Sequence, residues 1–173
     1  LFRSILAELT ARVAEHYHDL LNNQKLLVQL DVIMAKGKLS MLQHGEEPQI
    51  SEDGELVLKE ARHPLLDPKK VVPIDLSIGG SYNTLVITGP NTGGKTVTLK
   101  TAGLLSMMAQ TGLHIPAAGG SRIPVWKDIF ADIGDEQSIE QSLSTFSSHM
   151  TNIVDIVKHA GEGCLVLVDE LGA

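Results

Sequence analysis

The sequence predicts an α/β fold preceded by an α-helical hairpin, and three observations carry that prediction. Apolar residues at steps of three and four run through the first forty-odd positions, the mark of amphipathic helix. Short apolar runs alternating with helical patterns fill the rest, as in a largely parallel sheet. Within that second part a glycine-rich turn, GPNTGGKT from Gly89 to Thr96, stands between an apolar run and a helical pattern.

The helical part comes first. Phe2, Ile5, Leu6, Leu9, Val13, Tyr17, Leu20 and Leu21 make one stripe, and Asn22 and Asn23 are expected to break it. A second stripe follows through Leu26, Leu27, Leu30, Ile33 and Met34, with Gly37 as its expected end or interruption. Two helices with a short break read as a hairpin packed on another body. On this reading residues 1–44 form a helical region and 45–173 an α/β domain. His16 and His18 are two positions apart, point different ways on a helix, and read as surface residues rather than a metal pair.

From His44 to Gly54 the composition is that of a loop. ELVLKEARHPLL then predicts a strand that turns at Pro64, and VVPIDLSIGG another closed by Gly79 and Gly80. TLVITG predicts a short buried strand, followed by a helix from Thr96 to Ala109 with Leu99, Ala102, Leu105 and Met108 inward. Trp126 to Ile133 predicts a strand and Ser144 to His159 a helix. Cys164 to Val168 predicts the last strand. No internal repeat or low-complexity tract interrupts the chain.

Charge and cysteine usage narrow the function classes. With 14 basic and 21 acidic residues the net charge is −7, and Lys69-Lys70 is the only adjacent basic pair. Phosphate neutralisation along a nucleic acid needs clustered Lys and Arg, so these 173 residues are not expected to be a main nucleic-acid grip. The single cysteine, Cys164, excludes an internal disulfide, fits a reducing cytoplasm, and reads as a packed core thiol. No apolar run approaches the ~20 residues of a membrane span, and Leu1 falls inside a helical pattern without a signal-peptide basic region. The chain reads as a piece of something longer.

GPNTGGKT fits the phosphate-loop pattern G-x-x-x-x-G-K-[ST] position for position. Gly89, Pro90, Asn91, Thr92, Gly93 and Gly94 would let backbone N–H groups close around phosphate oxygens. The following helix adds the positive end of its dipole. Lys95 would reach the β- and γ-phosphates of ATP, and the Thr96 hydroxyl would bind Mg²⁺. At the far end of the chain, CLVLVDELGA brings two acids out on a strand tip. Asp169 would meet the Mg²⁺, and Glu170 would polarise the attacking water as general base. A third element, QSLSTFSSHM, opens a helix with Ser144 as N-cap and Thr145 beside it. Its apolar face is read as Phe146, Met150, Ile153, Val154 and Val157. A second phosphate-facing helix start is what an ATPase with composite sites needs from its partner subunit.

ITGPNTGGKT, HIPA, LSTFSSHM and LVDELGA, in that order, resemble the ATPase core of the MutS family of DNA mismatch-repair proteins. ARHPLL and LDV resemble that family's approach to the domain. The resemblance implies a P-loop NTPase fold of the ABC-ATPase type, present here in part, and a homodimer joined through composite ATP sites. It implies that Asn91 joins Lys95 at the γ-phosphate and that Ser144 and Thr145 act in trans on the partner's nucleotide. Val71, Val72 and His63 fall where the family lines the adenine pocket, and Val97, just after the loop, falls at the nucleotide. Gln137 falls in a water- or metal-contacting loop. Repair-type members carry Met at Thr92, Ser at Thr96, Arg at Ala173 and paired acids at Gln137-Ser138. They also carry a base-stacking aromatic near Val71. These departures resemble the MutS-two branch, associated with suppressing recombination and with ribosome rescue.

The implied function is ATP turnover coupled to branched or mispaired DNA, gripped by parts outside these residues. The alternatives are an ATPase acting on stalled ribosomes, or a nucleotide-binding piece without turnover. Family members continue past Ala173, so weak or absent hydrolysis is expected of this chain alone.

Overall fold

The structure, a computed structural model, describes residues 2–90, 93–134 and 142–169, with the backbone alone for 142–148. The chain forms two compact units, Leu1–Leu39 and Ser40–Ala173.

The first unit is made by α1 (Phe2–Glu15) and most of α2 (Tyr17–Gln43). The expected hairpin with its break at Asn22-Asn23 is not formed. The only interruption is His16. Its N–H donates to the Val13 carbonyl at 3.0 Å and its carbonyl accepts from the Leu20 N–H at 3.0 Å, so the backbone stays helical across the joint. Reversal into a hairpin takes a loop of at least ~2 residues. Asn costs a helix well under ~1 kcal/mol relative to Ala, too little to break one by itself. Gly37 likewise lies inside α2 rather than at its end. Neither helix buries a residue, and the stripe Phe2, Leu6, Leu9 and Val13 is exposed.

The second unit begins on the last turn of α2. His44 takes a left-handed conformation (φ 49°). The Gly45 N–H reaches back to the Ser40 carbonyl at 2.8 Å, and the His44 N–H points to the Met41 carbonyl at 3.4 Å. This is a Schellman ending with His at the position Gly normally takes. The Ser40 hydroxyl adds bonds to the Gly45 carbonyl (3.1 Å) and to His114 Nδ1 (2.8 Å). Gly45 sits in a tight place, because a Cβ would stand 3.1 Å from the His114 Cβ and the two would have to part by a few tenths of an ångström.

Six strands and two further helices follow among the described residues: β1 (Gln49–Ser51), β2 (Leu56–Ala61), β3 (Ile74–Ile78), α3 (Lys95–Gln110), β4 (Arg122–Pro124), β5 (Asp128–Asp132), α4 (Ser142–His159) and β6 (Cys164–Val168). They form a four-stranded sheet in the order β1-β4-β2-β3 and a two-stranded sheet, β5-β6. β1 runs parallel to β4 and β5 to β6, whereas β2 is antiparallel to both β3 and β4. The expectation of one largely parallel sheet is therefore corrected to two small sheets, the first of mixed direction and the second parallel. β1 and β4 have three residues each, too few to show a period, and the first lies in the stretch read as loop. A bulge between Leu58 and Ala61 places Glu60 at φ 45°, with its N–H held by Asp75 Oδ1 at 2.8 Å.

The main core lies between α3 and the first sheet. Leu56 and Leu58 of β2, Leu105 of α3, Ile115, and Ile123 of β4 are essentially without solvent contact. Each such side chain contributes about 2–3 kcal/mol of transfer free energy. The inward positions Ala102, Leu105 and Met108 are buried as expected, and Leu99 is half-buried. The other side of α3 meets the second sheet. There Gly103 permits close approach, since a Cβ would come 2.6 Å from Leu167 Cδ1. Gln110 completes the helix end: its amide pairs with the Trp126 N–H (3.1 Å) and carbonyl (3.2 Å) as a strand would.

Two further expectations are corrected. TLVIT, residues 84–88, pairs with no strand among the described residues, and Val86 is 76% exposed. A buried parallel strand needs a ladder at its edges, and here β6 is paired with β5 instead. Cys164 is half-buried at the start of β6 rather than sealed in a core.

Candidate nucleotide and metal site

The turn before α3 is built by glycine. Gly89 (φ 147°) and Gly94 (φ 80°) occupy conformations costly for other residues, and a Cβ on either would meet nothing within 4 Å. The surface they leave is thus bare backbone facing open space. The Gly93 N–H donates to the Pro90 carbonyl at 2.9 Å, tightening the turn just before the helix. Gly94 is the N-cap of α3 and supplies no side-chain cap, so the helix start keeps N–H donors for an anion.

Lys95 and Thr96 open α3. Lys95 Nζ donates to the Gly89 carbonyl at 2.9 Å, so the ammonium is folded over the turn rather than extended away from it. The Thr96 hydroxyl donates to Asp169 Oδ2 at 2.5 Å. Both residues of this pair are half-buried. Asp169 owes its place to the β5-β6 register: Asp132 lies opposite Val168, and the next N–H, that of Asp169, donates to the Asp132 carbonyl at 2.9 Å. Thus the two stretches singled out in the sequence, GKT and VD, meet at one point.

A hydroxyl and a carboxylate are hard oxygen donors of the kind Mg²⁺ selects, and Mg²⁺ characteristically takes few protein ligands with substrate phosphates and water completing its shell. Thr96 and Asp169 fit that group. Among the described residues no cluster of three His, Cys, Asp or Glu offers an all-protein metal site.

The remaining predicted residues are placed as follows. Val97 is on α3 and 38% exposed. His63 lines a cavity of about 360 Å³ with Lys100, Leu104 and Met107 of α3 and Ile129 and Leu167 of the second sheet. Burial, and after it the Lys100 cation, hold the His63 pKa below the ordinary imidazole value. Val71 is half-buried and Val72 is 77% exposed, and neither lines that cavity. Asn91, Thr92, Gln137 and Glu170 lie outside the described residues, as do the side chains of Ser144 and Thr145.

Three residues beside the site were not foreseen: Asp132, His149 and Asn152. Asp132 ends β5 at 3% exposure, and His149 and Asn152 reach it from α4. The expected inner face of α4 is corrected accordingly. Met150, Val154 and Val157 are exposed, while Ile156 is buried and His149 and Ile153 are half-buried. The signal was available, since 149, 152, 153 and 156 follow the helical i, i+3, i+4, i+7 spacing.

A bare glycine turn at a helix start, a cation folded over it, and a hydroxyl against a strand-tip acid together define a mixed α/β protein whose loop, helix and strand converge on one site. The chain belongs to the MutS family: the model of MutS domain V matches residues 85–173. It is similar to proteins named Endonuclease MutS2. It is 59% identical over 169 residues to that of Alkaliphilus metalliredigens, covering 98% of this chain and 21% of the relative. Identity is also 59% to that of Geobacillus thermodenitrificans (98% and 22%), and 54% over 171 residues to that of Lactobacillus helveticus (99% and 22%). The chain spans about a fifth of the length of the curated relatives it matches.

Proposed function

We propose that this chain binds ATP with Mg²⁺ and is the nucleotide-hydrolysing part of a MutS-type machine. The carrying observation is the Thr96–Asp169 contact at 2.5 Å, set beside the glycine turn and Lys95. In this reading the triphosphate lies on the N–H groups of the turn and the first turn of α3. Lys95 exchanges the Gly89 carbonyl for phosphate oxygens. Thr96 and Asp169 hold the metal, which when bound neutralises charge developing on the phosphates. Glu170, the next residue in the sequence, is assigned the general-base role by its motif. The helix start at Ser144 and Thr145 serves a second subunit's nucleotide in a homodimer. His63, Val71 and Val72 serve the base.

The relatives' name, Endonuclease MutS2, supports a nucleic-acid substrate for the whole protein. With a net charge of −7 and no basic stripe, we place the DNA grip outside these 173 residues. The ATPase then acts as the driving element, its turnover coupled to branched or mispaired DNA held elsewhere.

Lys95→Ala tests the reading directly. A fluorescent ATP analogue with Mg²⁺ should bind the wild type and lose at least about tenfold in affinity in the variant, the loss of a charge-assisted contact. Glu170→Gln should retain binding and stop turnover in the protein that contains its remaining domains. Equal binding by wild type and Lys95→Ala would remove the cradle from this role.

A further inference from the structure

Among the described residues Asp132 is the only charged residue that is fully buried. Its carboxylate accepts from His149 Nδ1, 2.9 Å from each oxygen, and from Asn152 Nδ2 at 3.3 Å. Both donors come from one face of α4, one helical turn apart. Its backbone carbonyl accepts the Asp169 N–H at 2.9 Å. One residue therefore holds α4 by its side chain and the tip of β6 by its main chain. Gly134, two positions on, closes the arrangement: a Cβ there would stand 2.6 Å from His149 Cε1 and 2.7 Å from Nε2. The imidazole is wedged between the Asp132 carboxylate and the Gly134 backbone.

A buried polar cluster is a poor device for stability, since well-packed apolar residues of the same volume often serve as well or better. What it offers is a fixed direction and distance. The contacts run unbroken from α4 through His149 to Asp132, from Asp132 to Asp169, and from Asp169 to Thr96.

We infer that Asp132 and His149 are positioning residues that lock the tip of β6 to α4, so that the strength of metal binding at Thr96–Asp169 follows the placement of α4. The inference rests on the metal-nucleotide reading above. It gives α4, whose first turn is assigned to the partner's nucleotide, a direct mechanical line to this subunit's own metal.

The test compares His149→Leu, which keeps bulk and removes the donor, with His149→Asn, which keeps a donor near Nδ1. Mn²⁺ is titrated by electron paramagnetic resonance in the presence of ATP, and amide exchange over 164–169 is followed without any ligand. His149→Leu should raise the Mn²⁺ concentration for half-saturation at least about tenfold and His149→Asn should restore most of it, the scale of an outer-shell partner of a metal ligand. Exchange at Asp169 should quicken in the Leu variant alone, while nucleotide binding without metal stays within about twofold, since the loop is untouched. Unchanged Mn²⁺ dependence in His149→Leu, or equal impairment in both variants, would overturn the inference. Should His149→Leu not fold, Gly134→Ala is read by the same criteria, because it displaces only the ring and leaves every polar group present. If the wild type shows no Lys95-dependent binding of Mn²⁺·ATP, the nucleotide reading itself fails, and the exchange measurement alone then decides whether His149 locks Asp169.

Discussion

Thr96 and Asp169 stand 73 positions apart in the sequence, yet the hydroxyl of one donates to the carboxylate of the other at 2.5 Å. A bond to a charged acceptor in a half-buried place is worth about 1.5–3 kcal/mol. Thr96→Val, nearly isosteric, should therefore lower the free energy of unfolding by about 1–3 kcal/mol in chemical denaturation. Thr96→Ser should restore most of that loss. If Val were as stable as the wild type, the contact would not be holding β6 to α3.

His63 carries a dependence on pH. Its pKa is pushed below the ordinary value of 6.5, first by burial and then by Lys100. The unfolded chain thus takes up a proton at a higher pH than the native one does. Between the lowered native value and 6.5 the unfolded state binds more protons, so stability rises with pH there. Its contribution is fully present above 6.5 and is lost as pH falls below it. Melting temperatures followed downward from pH 7.5 should show a decline that His63→Asn makes shallower. Superimposable profiles would mean that another group sets the slope.

His44 ends α2 at φ 49°, a conformation that costs non-glycine residues about 1 kcal/mol. Its side chain has no hydrogen bond among those described. His44→Gly relieves that cost and gives back about 0.4–1 kcal/mol through glycine's greater freedom in the unfolded chain, so the second unit should be stabilised by up to about 0.6 kcal/mol. Differential scanning calorimetry would register this as a higher melting temperature. A lower one would show that the imidazole packs usefully.

Ser106 lies in the middle of α3 with 0% exposure, and its hydroxyl has no hydrogen-bond partner among the described residues. Such a group costs about 1–3 kcal/mol of desolvation, and Ser is also a poorer helix former than Ala. Ser106→Ala should raise stability by about 0.5–2 kcal/mol in urea titration, less any loss from the smaller volume. Destabilisation would indicate a buried water bonded to Ser Oγ.

The glycine turn, α3 and β6 were legible because motif, periodicity and strand pattern all marked the same residues. The acid at the strand tip needed only the apolar run before it. Asp132 and His149 were harder. Their meeting depends on the β5-β6 register and on which face of α4 turns inward, and apolar counting placed that face about 100° away. His149 and Asn152 look like solvent residues until Asp132 is known to wait beneath them. The helical joint failed for a local reason, since asparagine and glycine are weak breakers where no tertiary contact reinforces them. Ladders as short as β1 and β4 are fixed by neighbours from distant parts of the chain, which no window of sequence contains.

β4 lies within the span that the MutS domain V model recognises, residues 85–173, while β1, β2 and β3 lie before it. Yet β4 is the strand that joins β1 to β2, and its Ile123 shares one core with Leu56 and Leu58. The span of the family model and the body packed around this core thus have different limits. A chain trimmed to the recognised span would lose Leu56, Leu58 and Ala61 from its own interior. One released only as far as residue 84 would hold β1 and β2 with nothing between them. The earlier strands and the later one are thus parts of one interior, and neither piece should be expected to hold its fold after a cut at residue 84.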